Sequence, residues 1–411
     1  MIGGTLRIAI VCVSSLVGIV WIGGRSAADS RVSRESPAKP PMAAGAIDQL
    51  RALREAHLDG EGLVATDASG RRIELSIDVP LQAHVSKVFA DYQVPYGALV
   101  AIEPATGRVL AYVSHSSANP NGADLARDPS PPAASVFKLI TSAALLDSGV
   151  TPDTPICYGG GSSRLLPIDL RDDRRRDGHC ATLADAIGRS INAVVAKLAD
   201  RHLDPDGLRR YAAAFGFGQR LPVPFELAPS PAEIPNDRLE FARTAAGFWH
   251  VHMSPLHAAL IAASIANDGV MPSLTWVDRV VELDGRVETA PHAEPRNVVS
   301  AGTAHALGKM MLRCVHDGTA RAAFLDGRGR AQVPGIDVAG KTGTLNSNDP
   351  FRAYSWWIGF APAEKPRIAL AALVVNTPTW RIKSSFVARE AMREYLITEK
   401  APPSNSKISK R

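Results

Sequence analysis

The sequence has 411 residues, of which 45% are hydrophobic and 21% are charged, and its 46 basic and 41 acidic side chains give a net charge of +5. This composition is ordinary for a folded protein, and the length allows one large domain or two ordinary ones. The small net charge and the lack of a long basic block with interleaved aromatic residues argue against nucleic-acid binding.

An apolar stretch over residues 8–24, directly after Arg7, contains no charged residue and is predicted to be a membrane segment. Its length is near the short limit for a spanning helix and exceeds the usual apolar region of a signal peptide, so we favour an uncleaved anchor. Ser26-Ala27-Ala28 offers a small-residue cleavage site, so a cleaved signal segment stays open as the alternative. Residues 25–72 are predicted to be a linker, because 25–44 mixes charge, Pro, Ser and Ala.

Hydrophobic periodicity predicts one folded domain over residues 73–400, followed by a basic tail at 401–411. The predicted elements are a short helical arm at 47–58, a strand at 73–77, a helix at 85–92, a hairpin with strands at 98–102 and 109–113, helices at 135–146, 183–199, 208–214, 255–266 and after Ser300, strands at 336–340, 354–360 and 368–375, and a terminal helix at 386–396. Strands at both ends with helices between them predict an α+β fold, with a mostly antiparallel sheet flanked by helices and an inserted helical lobe.

Ser135 and Lys138 lie one helical turn apart at the start of a predicted helix. Free backbone N–H groups and the positive end of the helix dipole favour an oxyanion at that position. A neutral lysine amine beside a serine hydroxyl accepts its proton as the oxygen attacks a carbonyl. Neutrality requires the lysine pKa to fall by about 3 units from ~10.4, a shift that burial can supply. Such a pair also occurs by chance, with the serine acting only as a helix cap.

Two further motifs follow along the chain. Ser190-Ile191-Asn192 precedes a predicted helix, where a simple N-cap is the alternative. Lys341-Thr342-Gly343-Thr344 ends a predicted strand, where an ordinary turn is the alternative. All three motifs in this order are unlikely to arise by chance.

Over residues 73–396 the chain resembles the transpeptidase domain of the penicillin-binding proteins, whose signature combines these three motifs. Secondary landmarks fit the same family order, namely the hairpin at 100–113, Met253-Ser254-Pro255-Leu256 leading to Ala266-Asn267-Asp268-Gly269, Gly318-Thr319-Ala320, and the segment 356–362. The resemblance implies an active site between the antiparallel sheet and the helical lobe.

The resemblance also implies roles for the acylation machinery. Ser135 would be the acylated nucleophile and Lys138 its general base. Ser190 would pass protons to and from the leaving group, with Lys341 beside its hydroxyl. The backbone N–H groups of Ser135 and Thr344 would form the oxyanion hole.

The same resemblance implies a set of substrate-binding residues. Asn192 would bind a substrate backbone amide, while Thr342, Gly343 and Thr344 would bind the terminal carboxylate of a D-alanyl-D-alanine peptide near the charge of Lys341. No metal and no other cofactor is implied.

The function implied is a serine D,D-transpeptidase that cross-links peptidoglycan stem peptides in the cell wall and is a target of β-lactams. A D,D-carboxypeptidase stays open, because both enzymes share the first half-reaction. A serine β-lactamase is a weaker alternative, since the segments at Glu226 and Glu233 depart from the deacylating glutamate motif of one class and Asn192 stands where another class has valine. A penicillin-sensing or scaffold protein is a further alternative, which the intact motifs disfavour.

The expected location is the inner membrane of a bacterial cell, with a single N-terminal anchor and the catalytic domain in the periplasm. The expected partners are stem peptides, β-lactams, the membrane and other cell-wall synthesis proteins.

The remaining cysteines and histidines carry weaker signals. Cys157 and Cys180 flank a Gly-rich, charged insertion and are a candidate disulfide in an oxidising compartment. Cys314 lies on an apolar helix face and is expected to be inert. His250 and His252 have a spacing that suits a metal, but no further cluster completes a site, so packing is favoured.

Overall fold

A computed structural model describes residues 47–289 and 294–398 of the chain. The helices are α1 Gln49–Glu55, α2 Val79–Asp91, α3 Lys138–Asp147, α4 Leu183–Arg189, α5 Asn192–His202, α6 Pro205–Ala214, α7 Arg238–Ala245, α8 Pro255–Ala266, α9 Ala301–His316, α10 Arg321–Phe324 and α11 Ser384–Ile397. None of these described helices has the length and apolarity needed to cross a bilayer. The predicted membrane segment at 8–24 and the predicted tail at 401–411 lie outside the described residues.

The strands alternate with these helices and form several sheets. They are β1 His57–Asp59, β2 Gly62–Thr66, β3 Arg72–Leu75, β4 Tyr96–Ile102, β5 Val109–His115, β6 Pro155–Tyr158, β7 His179–Thr182, β8 Val270–Met271, β9 Val277–Val281, β10 Val287–Glu288, β11 Arg296–Asn297, β12 Ala339–Asn348, β13 Phe351–Ala361 and β14 Ile368–Asn376. Short 3₁₀ turns lie at Ala134–Phe137 and Pro167–Leu170.

The central sheet joins the two ends of the sequence, with the antiparallel strand order β12-β13-β14-β4-β5. Alternate residues of β4 pack into two different cores, because successive strand side chains point to opposite faces. On one face lies α8, in which nearly every residue is buried. On the other face lie α2 and α11. The arrangement has three layers, and the strand order places β12 at one edge of the sheet.

A helical lobe is inserted between β5 and β12. It contains α3 to α7, and α9 packs between this lobe and the sheet, against both α4 and β12. The predicted α+β class, with an antiparallel sheet, flanking helices and an inserted lobe, is confirmed.

A second five-stranded sheet has the order β1-β2-β3-β9-β10. Its first two strands lie within residues 25–72, so the prediction that this whole segment is a linker is wrong. Within that predicted linker, α1 falls on the short helical arm predicted at 47–58, whereas the strands β1 and β2 were not predicted. The buried Gln49 side chain accepts a hydrogen bond of 2.8 Å from the Trp276 backbone N–H, which ties α1 to a distant part of the chain. A local sequence pattern does not reveal this second sheet, because the sheet depends on pairing between β3 and β9, which are about 200 residues apart.

Several predicted boundaries are also wrong. α2 begins at Val79, six residues before the predicted start, because Asp78 caps the Leu81 N–H and Pro80 suits a first helical turn. The predicted helix 183–199 is two helices separated at residues 190–191. The first difference arises from a cap and a proline, and the second from a change of backbone direction at residues 190–191. Hydrophobic periodicity alone encodes neither of them.

Candidate active site

Ser135 lies at the entrance of the helical lobe, in the 3₁₀ turn that precedes α3. The helix itself begins at Lys138, three residues later than predicted. Ala134 has a φ of +50°, a left-handed conformation that costs a non-glycine residue free energy. The turn is held from the sheet side, because the Trp356 indole donates a hydrogen bond of 2.8 Å to the Pro132 carbonyl. The half-buried Ser135 is therefore presented on a constrained turn.

Lys138 lies directly beneath Ser135. Its side chain is completely buried, and its Nζ lies 2.7 Å from Ser135 Oγ, 2.6 Å from Asn192 Oδ1 and 2.5 Å from the Ala246 carbonyl oxygen. Burial, helped by the positive charge of Lys341, lowers the pKa of Lys138 well below its usual range. The position of the amine and its lowered pKa both suit it to accept a proton from Ser135.

Ser190 and Lys341 form a second hydroxyl–amine pair. Lys341 Nζ donates to Ser190 Oγ at 3.0 Å and to the Thr342 carbonyl at 2.8 Å. Burial lowers the pKa of Lys341 to about 8, while nearby Cys314 opposes that shift. Ser190 ends α4 with a φ of +58°, and Ile191 occupies the N-cap of α5. The capping alternative for Ser190 is therefore wrong.

Asn192 connects the active site to the disulfide-linked insertion. Its Oδ1 accepts from Lys138, and its Nδ2 donates to the Ser162 carbonyl. Cys157 and Cys180 lie opposite one another in the β6–β7 pair and are joined by a disulfide. Both ends of the Asn192 amide are thus held by the protein, and the second N–H of Nδ2 has no hydrogen-bond partner among the described residues, so it is available to a ligand in the cleft.

The Lys341–Thr344 motif lies within β12 rather than at its end, because the strand begins at Ala339 and continues to Asn348. Gly343 lets the strand approach the nucleophile turn. An added Cβ there would lie 3.3 Å from Val136 Cγ2 and 3.4 Å from Ala134 Cβ, at the tight end of packing contact. The Thr342 hydroxyl contacts the hydroxyl of Thr319.

These residues meet in one cleft of about 380 Å³. It is lined by Ser135, Ser190, Asn192, Thr319, Thr342, Gly343, Thr344, Ser355, Trp356, Lys383, Ser384 and Ser385. Lys138 and Lys341 lie behind this surface, so the structure brings together all eight sequence-predicted catalytic and binding residues. The family landmarks already included Thr319 and Trp356, whereas nothing in the sequence pattern indicated Lys383 or Ser385.

A segment after α7 supports the nucleophile and carried no sequence signal. The Ala246 carbonyl accepts from Lys138, and Gly247 follows with a φ of +81°. A Cβ on Gly247 would lie 2.3 Å from the Ala134 carbonyl oxygen and 3.0 Å from Ser135 Cα. Only glycine permits this approach.

Among the histidines, His250 Nε2 lies 3.3 Å from Glu240 Oε2, and His252 pairs with the chain before Ser135 through an isolated bridge to Pro132. Within residues 47–289 and 294–398, no group of three potential metal ligands comes together. Cys314 is a buried free thiol on α9.

Comparison with known proteins agrees with this geometry. A family model described as the penicillin-binding protein transpeptidase domain matches residues 97–396. The chain belongs to the penicillin-binding protein transpeptidase family. The match covers the central sheet, the helical lobe and all three motifs of this penicillin-binding protein.

Two relatives illustrate the similarity. The chain is 31% identical over 317 residues to the peptidoglycan D,D-transpeptidase PbpA of Mycobacterium tuberculosis, which covers 68% of the chain and 62% of that relative. It thus spans less than two thirds of the length of that curated protein. It is 30% identical to PbpA of Mycolicibacterium smegmatis, which covers 68% of the chain and 61% of that relative.

Solved structures share the fold. The crystal structure of PBPA from M. tuberculosis superposes with a TM-score of 0.65 at 26% identity, over 80% of this chain and 83% of that one. The penicillin G acyl-enzyme complex of the same protein gives a TM-score of 0.61 at 25% identity, over 80% and 81% of the two chains.

Proposed function

We propose that this penicillin-binding protein is a serine D,D-transpeptidase that cross-links peptidoglycan stem peptides and is inhibited by β-lactams. The observation that carries the proposal is the fully buried Lys138 amine 2.7 Å from Ser135 Oγ. Family membership supports it, as does the naming of the relative PbpA as a peptidoglycan D,D-transpeptidase.

The first step is acylation of Ser135. Its Oγ attacks the carbonyl of the penultimate D-alanine as neutral Lys138 accepts the hydroxyl proton. The backbone N–H groups of Ser135 and Thr344 receive the developing oxyanion, and each such donor contributes about 10²–10³ in rate. Acylation breaks the peptide bond and forms an ester on Ser135.

The leaving D-alanine amine needs a proton as the bond breaks. The Ser190 hydroxyl, 3.0 Å from Lys341 Nζ, is positioned to deliver that proton and to recover one from the lysine. An acceptor amine then attacks the ester by the reverse of this route. A D,D-carboxypeptidase uses water in place of the amine.

A β-lactamase is the weaker assignment. Such an enzyme needs a group that activates water against the acyl-enzyme. Neither Glu226 nor Glu233 lies among the described residues that line the cleft, and no other acidic side chain does. This supports a long-lived penicillin adduct.

We also propose that the segment at 8–24 places the catalytic domain at the outer face of the inner membrane. The uncharged apolar sequence supports this placement. So does the Cys157–Cys180 disulfide, because disulfides persist in oxidising compartments.

The proposal is tested by supplying the purified full chain with a stem peptide ending in D-Ala-D-Ala and a D-amino acid acceptor. The expected product is the peptide with its last D-alanine replaced by the acceptor, with loss of all turnover in Ser135→Ala. Removal of D-alanine without any exchange would assign a carboxypeptidase instead.

A further inference from the structure

The first turn of α11 contributes a wall of the active-site cleft that the acylation chemistry does not use. Lys383 precedes this 14-residue helix, and Ser384 and Ser385 begin it. All three line the cleft with Ser135. We call Lys383, Ser384 and Ser385 the α11 subsite.

The α11 subsite is fixed beside the substrate-binding strand. Ser384 Oγ lies 3.0 Å from Ser355 Oγ, and the Ser384 backbone N–H donates to the same oxygen at 3.2 Å. Ser355 lies directly opposite Thr344 in the β12–β13 pair, so their side chains share one face of the sheet. A ligand held by Thr344 therefore lies next to the start of α11.

Ser385 is the observation that points to a ligand. Only 6% of this residue is exposed, and it lines the cleft. Its hydroxyl has no hydrogen-bond partner among the described residues. A hydroxyl on the cleft wall without a protein partner is free to hydrogen-bond a molecule that enters the cleft.

The charge around Ser385 favours an anion. Lys383 is exposed and makes no ion pair within the described part of the chain. No acidic residue lies in the first turn of α11, so the positive end of the helix dipole is not offset there. The cleft wall contains no acidic side chain either, among the residues that the structure describes. An ammonium, a hydroxyl and a helix N-terminus together suit a carboxylate.

We propose that the α11 subsite binds a second carboxylate of the donor substrate, carried on a side chain, in addition to the terminal carboxylate bound by Thr342 and Thr344. This inference rests on the proposed function. The favoured donor is a stem peptide in which a residue near the D-Ala-D-Ala terminus has a free side-chain carboxylate. An amidated or uncharged side chain at that position leaves Lys383 and Ser385 without their partner.

Two penicillins provide the test, because carbenicillin carries one more side-chain carboxylate than benzylpenicillin. We expect Lys383→Gln in the full chain to lower the ratio of their second-order acylation rate constants, carbenicillin over benzylpenicillin, by about three- to fivefold. Ser385→Ala lowers the same ratio. Added salt lowers the wild-type ratio, because it screens an exposed ion pair.

The control is Lys365→Gln, which removes an exposed lysine outside the cleft and leaves the ratio unchanged. An equal loss for both penicillins in Lys383→Gln overturns the proposal, because Lys383 then holds the carboxylate that both share. An unchanged ratio overturns it as well, while normal benzylpenicillin acylation leaves the proposed function intact.

If no penicillin acylates Ser135, the proposed function fails. The subsite is then tested by measuring the noncovalent affinity of peptides. The probes are two peptides ending in D-Ala-D-Ala that differ only by Glu or Gln at the preceding residue. A preference for the Glu peptide that Lys383→Gln abolishes supports the subsite, and equal affinities contradict it.

Discussion

The two active-site lysines are both completely buried, yet their surroundings assign them different tasks. Lys138 contacts the Ser135 hydroxyl, and its burial beside a second positive charge favours the neutral amine. Lys341 contacts Ser190 and the Thr342 carbonyl, and its pKa of about 8 leaves it mostly charged at neutral pH. On the proposed function, one lysine would serve as the base and the other as a cation that binds a carboxylate.

The pH dependence of acylation follows from these two pKa values. Burial lowers the pKa of Lys138 well below its usual range and favours its neutral form, whereas Lys341 loses its charge as the pH rises through about 8. We predict that the second-order rate constant for benzylpenicillin acylation falls on the alkaline side with a midpoint near pH 8. Lys341→Arg stays charged, so its alkaline limb moves to higher pH even if its absolute rate is lower. A wild-type rate that is constant from neutral to strongly alkaline pH contradicts this assignment.

Gly247 packs closely against the turn that carries Ser135. Gly247→Ala places a methyl group 2.3 Å from the Ala134 carbonyl oxygen, so the turn that carries Ser135 must shift. We predict that benzylpenicillin acylation falls by about 100-fold, since a displacement of about 1 Å has that effect. Thermal unfolding of Gly247→Ala and of a control variant, Gly218→Ala, separates the loss of acylation from the general loss of stability caused by a side chain at positive φ.

Gly218→Ala is the matched control for this prediction. Gly218 also has a positive φ, of +67°, but a Cβ added there would have no neighbouring atom within 4 Å. It therefore shares the backbone strain of the Gly247 variant without the contact to Ser135. Equal acylation rates in the two variants would show that Gly247 has no special role at the nucleophile.

At the scale of elements, the β6–β7 hairpin links a disulfide to the active site. The bond between Cys157 and Cys180 closes the insertion that supplies the Ser162 carbonyl to Asn192. The buried Lys197 on α5 pairs with Asp177 of the same insertion at 2.8 Å. The hairpin therefore helps to orient α5, where Asn192 begins the helix.

We predict that replacing both cysteines with serine lowers the free energy of unfolding by about 3 kcal/mol, since the bond closes a loop with a sequence separation of 23. Urea denaturation measures this change. Wild-type protein in strong reductant should approach the stability of the double variant, because Cys314 is already a free thiol and the reductant breaks only the Cys157–Cys180 bond among the described residues. Equal stability of the oxidised and reduced wild type would contradict the prediction.

The sequence predicted an element well where its hydrophobic or capping pattern was contained in one continuous segment of the chain. The hairpin of β4 and β5, the helix α8 and the Ser300 cap of α9 are all confirmed. Lys341–Thr344 was misplaced at a strand end, because the polar residues 346–348 resemble a loop although β12 continues through them against β13. Backbone pairing to a neighbouring strand outweighed the local composition there.

At the scale of the whole molecule, the site is built from five distant parts of the chain. Motif spacing identified three of them, because the chemistry constrains the residue types at Ser135, Ser190 and Lys341. The other two parts, at Gly247 and at the start of α11, act through backbone approach and an exposed lysine, which have no characteristic sequence pattern. The second sheet was missed for a related reason, since β3 and β9 pair across about 200 residues.

The central claim is that Ser135 is a nucleophile activated by Lys138. The most direct test follows the intact mass of the full chain over time after mixing with benzylpenicillin, with peptide mapping of any adduct. We predict one penicillin per chain, attached at Ser135, stable over the time course, and absent from both Ser135→Ala and Lys138→Ala. An adduct that forms equally well without Lys138, or that maps to another residue, would contradict this account.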